Sequence, residues 1–257
     1  MATGGAMNDT YKRGHPARPD PARRRYQLLA PIYERTSGER SLYAAARARA
    51  IELLQLRPAA SVLDVACGTG MNFELIEQRI GPSGRLVGVD RSERMLDRAR
   101  SRVARCRWSN VSLIEADVER LAPDYLQELG LSVPDAQFDA ALCTLGLSVI
   151  PDWKSAWQAT LALVRPGGKV AVMDGGYPSQ PGAAGEVVAL RPLVWLICRM
   201  YAADARRQPW EFVKQDTDHV TSERFSYGYV GVAAGTAKPR PDASTNLMSD
   251  PRQGGPS

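Results

Sequence analysis

In the stretch VLDVACGTGMNF, residues 62–73, an apolar run with one acid inside it passes into the small-residue series Ala66-Cys67-Gly68-Thr69-Gly70. Val62, Leu63 and Val65 read as a parallel strand buried on both faces, and the residues after Met71 read as a helix, so the glycines stand at the turn between the two. In an open α/β sheet, ligands bind at that turn, outside the carboxyl end of the strand. A dinucleotide fold places a third glycine three residues after the second, where helix and strand must pack closely. Phe73 stands there instead, which disfavours a dinucleotide. The turn also lacks the Gly-Lys-Ser/Thr ending of a phosphate loop.

Working outward, strands and helices alternate. Ser61–Val65, Arg85–Val89, Val111–Glu115, Phe138–Cys143 and Lys169–Met173 read as strands, the last after the turn Arg165-Pro166-Gly167-Gly168. Asn72–Arg79, Glu93–Val103 and Trp153–Val164 read as helices. This alternation predicts an α/β fold with a doubly wound parallel sheet and helices on both faces. Two further strands, His219–Phe225 and Tyr229–Ala234, are close enough to form a hairpin through Ser226-Tyr227-Gly228. Upstream, residues 24–57 read as a helical cap of two helices broken near Ser37-Gly38, placed to close over the carboxyl end of the first strand. Residues 1–23, basic and rich in Pro and Gly, and 238–257, without apolar period, are expected to be disordered. The main domain is then 58–237, with an insertion near 177–210.

At 257 residues with 44% hydrophobic content, the chain is long enough to bury a full core in one large domain. The net charge of +5 sits largely in the amino-terminal arm and reads first as a solvated face. Cys67, Cys106, Cys143 and Cys198 are widely spaced, with no C-x-x-C pair and no neighbouring histidines; they read as reduced thiols, and no metal site is expected. With no secretory signal pattern at the amino terminus, a cytoplasmic location is expected.

The acids define the ligand. Asp64, Asp90 and Asp117 stand at or near the ends of three successive strands. A carboxylate at the end of the second strand accepts hydrogen bonds from both hydroxyls of a ribose and repels a phosphate. Asp117 is placed to accept from an adenine amino group while Val118 offers its backbone amide. A ligand with a cationic group, a ribose and an adenine, but no phosphates, fits this set, and S-adenosylmethionine is such a ligand.

The segments VLDVACGTG, LVGVDRSERML, VSLIEADVERL, FDAALCTLGLSVIPD and LVRPGGKVAVMD, in this order and spacing, resemble the motifs of class I S-adenosylmethionine-dependent methyltransferases. The resemblance covers roughly residues 60–176. It implies a Rossmann-like, seven-stranded, mostly parallel sheet with an antiparallel terminal strand. It also implies S-adenosylmethionine as cofactor, released as S-adenosylhomocysteine. Gly68 and Gly70 would approach the methionine end, Asp90 the ribose, Met95 the adenine side, and Asp117 with Val118 the adenine. Asp64, Ala66, Arg91 and Thr144 complete the cofactor-binding set. The family pattern has three alternating glycines, and Ala66 replaces the first; this form is frequent in the branch similar to ubiquinone and menaquinone C-methyltransferases. RRRYQLLAPIYER is similar to the opening signature of that branch and of phospholipid N-methyltransferases, which makes Tyr26 and Tyr33 candidates to cap the cofactor.

Catalytic candidates are few. Asp174, ending the fifth strand, either faces the active-site rim or caps the turn at Gly175-Gly176, and Tyr33 is the other candidate. Cys67 reads as a small residue packed under the turn, with no adjacent histidine or lysine to activate it. His219 is the one histidine outside the arm, so a histidine base is not expected. Transfer from a sulfonium is an in-line displacement served by alignment and exclusion of water. The apolar run at residues 187–201 is interrupted by Arg191, Pro192 and Arg199 and is too short to span a bilayer. It reads as a core or lid helix, or as a greasy mouth for a lipid acceptor with peripheral membrane contact. The expected partner is a small-molecule or lipid substrate: quinone precursor, aminolipid or aromatic natural product. Nucleic acid is not expected, because the fourth strand ends in CTLGLSVIPD, without the Asn/Asp-Pro-Pro-aromatic signature of base-amino methylation. A cyclase or scaffold that keeps the cofactor without methyl transfer is the alternative, and oligomeric state is not legible.

Overall fold

The computed structural model describes residues 42–131, 138–177 and 186–239. Seven strands form one sheet in the order β3-β2-β1-β4-β5-β7-β6. They are β1 Ser61–Val65, β2 Arg85–Asp90, β3 Val111–Glu115, β4 Phe138–Thr144, β5 Val164–Gly175, β6 Thr217–Phe225 and β7 Val230–Ala237. β1 pairs in parallel with β2 and β4, β2 with β3, and β4 with β5. β7 runs antiparallel to both β5 and β6. The chain therefore reverses strand order at β1 and β4, which makes the crevice between their ends the expected ligand position.

The helices are α1 Ala44–Leu53, α2 Phe73–Ile80, α3 Glu93–Cys106, α4 Pro123–Glu128, α5 Trp153–Leu163, α6 Glu186–Tyr201 and α7 Pro209–Asp216. Alternate residues of the central strands feed two cores. Leu63, Val65, Val87, Val89, Val170 and Val172 face the layer holding Trp157 and Trp210. Val62, Leu86, Leu142, Ala171 and Met173 face the layer holding Ala46, Ile51, Phe73 and Leu96. A period of two with apolar residues on both faces is what a parallel sheet covered by helices requires.

Two details differ from the sequence reading, and others lie outside the described residues. The segment Arg165–Gly168 is not a turn before β5 but an irregularity inside it: Val164 pairs with Phe138 and Lys169 with Ala140, so four residues of β5 stand opposite one of β4. Helix α4, with proline at its first turn, is short and carries no clear period, and it was not expected. Of the expected cap at 24–57, α1 is described, whereas the break at Ser37-Gly38, Tyr26 and Tyr33 lie outside the described residues, as do the arm and most of the tail. Within the insertion, α6 exposes Trp195, Leu196 and Met200. No described helix is long and apolar enough to cross a membrane.

Candidate active site

The turn after β1 is built on left-handed backbone. Ala66, Gly68 and Gly70 have φ of 54°, 56° and 75°, so each alternating position of the series requires the conformation that glycine adopts without strain. Ala66 holds it with a Cβ. The two glycines serve different purposes. A Cβ on Gly68 would meet nothing within 4 Å, because the residue borders open space. A Cβ on Gly70 would lie 2.6 Å from two carbons of the Phe73 ring, so Gly70 is small in order to seat the first residue of α2.

The open space beside Gly68 is a cleft at the carboxyl ends of β1, β2 and β4. Seven of the residues named from the sequence line it together: Ala66, Gly68, Asp90, Arg91, Met95, Val118 and Thr144. Asp90 forms its floor on the β2 side. One oxygen accepts from the Gly68 amide at 2.9 Å and the other from the Ser92 amide at 2.8 Å, the Arg91 amide also bonds the carboxylate, and the remaining acceptor capacity faces the cleft. Desolvation outweighs these bonds and pushes the Asp90 carboxyl up to about 6. Around it, Thr69 and Ser92 are 1% and 2% exposed. Their hydroxyl oxygens have no hydrogen-bond partner among the described residues, and buried polar atoms of this kind call for a ligand or a water. Met71, Leu145, Val149 and Ile150 make the remaining wall apolar.

Three expected residues do not line the cleft. Asp64 is fully buried behind it, both oxygens accepting from Asn72 Nδ2 at 2.9 Å. Gly70 packs on Phe73, as above. The Asp117 carboxylate accepts from the Glu119 amide at 3.1 Å and caps a short 3-10 turn, Val118–Arg120. Asp174 is also buried, accepting from the Ser148 and Gly175 amides at 2.8 Å each. It holds the β4 loop against the end of β5. The Cys67 thiol is pushed far above its usual range by burial and by the Asp90 and Asp64 charges, so it stays protonated and packs under the turn.

The sequence reading missed Arg47. It is 6% exposed, lines the cleft from α1, and donates from Nη1 to Asn72 Oδ1 and, at 2.7 Å, to Thr144 Oγ1. Asn72 Nδ2 also reaches Thr144 Oγ1 at 3.1 Å. An arginine in a run of alanines and arginines, ARARA, carries no signal that distinguishes it from its solvated neighbours.

The buried carboxylates make stability depend on pH. Burial raises Asp174 to about 6 from 3.8 and Asp64, against the pull of Asn72 and Arg47, to about 7. A carboxyl raised by folding favours the protonated native state. Its contribution is therefore full below about pH 4 and is lost as the pH rises through the folded value. Asp174→Asn lacks this titration. Its stability relative to the parent is expected to improve by about 3 kcal/mol between pH 4 and pH 8, measured by denaturant unfolding at both. A difference independent of pH would mean that Asp174 ionises in the fold as an exposed acid does.

Residues 62–168 match a family model described as a methyltransferase domain. The chain is 30% identical over 159 residues to a demethylmenaquinone methyltransferase of Listeria monocytogenes, an alignment that covers 61% of this chain and 63% of that protein. It thus spans less than two thirds of the length of that relative. Among solved structures, a SAM dependent methyltransferase from Aquifex aeolicus superposes with a TM-score of 0.53 at 14% identity, over 82% of this chain and 98% of that one. The DhpI-SAH complex does so with a TM-score of 0.56 at 19% identity, over 85% and 96%. At these identities the superpositions show a common fold.

Proposed function

We propose that this chain, whose residues 62–168 match a methyltransferase domain and whose strands follow the order β3-β2-β1-β4-β5-β7-β6, is a class I, S-adenosylmethionine-dependent enzyme that methylates a small lipophilic acceptor. The observation that carries this reading is the pairing, in one cleft, of the Asp90 carboxylate with a backbone turn whose Gly68 position is left open. The residues fit the cofactor: Asp90 would accept from the ribose hydroxyls, and Met95 and Val118 would wall the adenine. Thr69 and Ser92 offer hydroxyls that have no other partner among the described residues. When bound, S-adenosylmethionine supplies a methyl group activated by a sulfonium.

The rest of the work is positioning. Among the described cleft residues the charged groups are Arg47, Asp90 and Arg91, and Asp90 is committed to the ribose. Cys67 is a protonated thiol. An acceptor that ionises by itself, or that attacks without losing a proton first, therefore suits the site. Leu145, Val149, Ile150 and Met71 exclude water from the line of transfer. These apolar walls support a lipophilic acceptor, and the name of the Listeria relative favours a quinone precursor. The chain that follows α6, a helix that exposes Trp195 and Leu196, is tied to the loop of the cleft wall: the Asp204 amide donates to Ser148 O at 3.0 Å and Arg207 to Leu147 O at 3.2 Å.

The test is a titration of the full chain with S-adenosylmethionine and S-adenosylhomocysteine, followed by transfer of labelled methyl to a demethylated quinol kept reduced, an aminolipid and a phenol. Micromolar binding with labelling of the quinol is expected, the ring carbon taking the methyl and giving up its proton. Binding without transfer to any acceptor would favour a cyclase or scaffold, and no binding would end the methyltransferase reading.

A further inference from the structure

We infer that α6 docks on an anionic lipid surface, through a stripe made of Pro192, Trp195, Leu196, Arg199 and Met200. Their spacing of i, i+3, i+4, i+7 and i+8 puts all five on one face of the helix. All are exposed, Trp195 by 56%, Leu196 by 49% and Met200 by 43%. The opposite face is the one that packs: Val194 and Cys198 are half-buried, and Tyr201 is buried. Burial, together with the charges of Asp174 and Asp204, pushes the Cys198 thiol up to about 11, so this inner face stands close to the end of β5. A helix that lies on its own protein in water carries polar residues outward. Here large apolar side chains stand outward and side by side, the mark of a surface that meets something apolar.

The chemistry of the stripe selects the occupant. Between Glu186 and Asp204 the sequence contains no acid, and its charged residues are Arg191 and Arg199. The Arg199 guanidinium lies 5.7 Å from the centre of the Trp195 ring, so a cation and an indole are presented together. That pair suits the boundary between headgroups and acyl chains, where an indole lies at headgroup level, aliphatic residues enter and an arginine reaches back to phosphate. A second copy of this chain fits worse. A two-fold contact centred on the stripe repeats Arg199 on both sides, with no acid on either stripe to pair it. At 16 residues, with Pro192 inside it, α6 is suited to lie in the surface rather than cross it.

The stretch after α6 ties the helix to the cleft. Asp204 and Arg207 bond the backbone carbonyls of Ser148, Leu147 and Ile150, and Ile150 lines the cleft. Docking therefore brings the loop of the cleft wall to the layer in which a lipophilic acceptor dissolves. That consequence rests on the methyl-transfer reading above, whereas the docking itself does not.

Co-sedimentation of the full chain with vesicles of phosphatidylcholine, alone or mixed with phosphatidylglycerol, tests this without cofactor or acceptor. The mixed vesicles are expected to bind the chain more tightly, and high salt to remove the difference. Leu196→Glu puts an acid into the stripe at an exposed position and should weaken binding to mixed vesicles by roughly tenfold or more. Arg199→Gln should lose about fivefold on the mixed vesicles and nothing on phosphatidylcholine alone. Trp195→Phe should still bind, but without most of the tryptophan quenching that lipids brominated in their acyl chains produce in the parent. Thermal melts establish that each variant is folded. Binding that survives both Leu196→Glu and Arg199→Gln would belong to the basic residues 1–23 and overturn the inference. A parent that ignores both kinds of vesicle would overturn it too. So would a dimer, seen by light scattering, that Leu196→Glu dissolves, because the stripe would then meet a second copy. Failure to bind S-adenosylmethionine would end the function proposed above and leave the vesicle result standing.

Discussion

Replacing Asp90 with alanine is expected to weaken S-adenosylmethionine by roughly 10²–10³-fold while the chain stays folded. The carboxylate is held by backbone amides of Gly68, Ser92 and Arg91 and lines the cleft with its remaining acceptor capacity. Each bond from a ribose hydroxyl to a charged acceptor contributes about 1.5–3 kcal/mol. Alanine removes both bonds and also leaves these amides without their partner, so the turn loses its anchor on β2. Asp90→Asn keeps the shape but turns one acceptor into a donor, and it should fall between parent and alanine. The pH dependence separates this account from a general loosening. Burial holds the Asp90 carboxyl near 6, and the acid form cannot accept from two hydroxyls while serving these amides. Affinity should be level above about pH 7 and fall about tenfold per unit below pH 6, whereas the asparagine variant should show no such fall. Calorimetry between pH 5 and 8 decides it; parallel profiles for parent and variant would place the titrating group elsewhere.

The two glycines of the turn are expected to fail in different ways. At Gly70 a methyl group would overlap the Phe73 ring at 2.6 Å in a residue whose φ is +75°. The left-handed backbone costs an alanine about 1–2 kcal/mol, and forcing apart a packed core costs about 1–3 more. Gly70→Ala should therefore lose roughly 2–5 kcal/mol, a fall in Tm of about 5–15 °C for a chain of this size. At Gly68, φ is +56° and nothing stands within 4 Å of the new methyl. Gly68→Ala should pay only the backbone cost in stability but obstruct the cleft, weakening S-adenosylhomocysteine tenfold or more. Thermal melts with and without ligand separate the two. If Gly68→Ala proved the less stable and Gly70→Ala the poorer binder, the assignment of one glycine to the cleft and the other to packing would be reversed.

Much of this architecture is written in local pattern. Apolar runs at strand length, helical periods between them and glycines at positions of positive φ are properties of neighbouring residues. They were enough to predict a parallel sheet from β1 to β5, the terminal hairpin and the cleft residues Gly68, Asp90 and Val118, whereas Ala66 and Met95 followed from the resemblance to a known family. Asp90 was legible because it ends the strand that follows the glycine turn, where a ribose is expected.

What depended on tertiary structure was direction and partnership. Asp64 and Asp90 look alike in sequence, yet Asp64 lies one residue short of its strand's end and points into the layer beneath α2. Asp90 is the last residue of its strand and reaches the cleft. In a strand buried on both faces, no pattern of apolar residues says which side an isolated acid takes. Asp174 is drawn inward by two amides that only the folded β4 loop supplies. Gly70 looks like a ligand glycine until Phe73 is seen against it. Arg47 meets Asn72 and Thr144 across 25 and 97 residues, and a contact between such distant residues leaves no mark on the sequence around any of them. The local pattern determined that a cleft forms at the end of β1 and which acid floors it. The packing of α1 over that end decided which cation completes it.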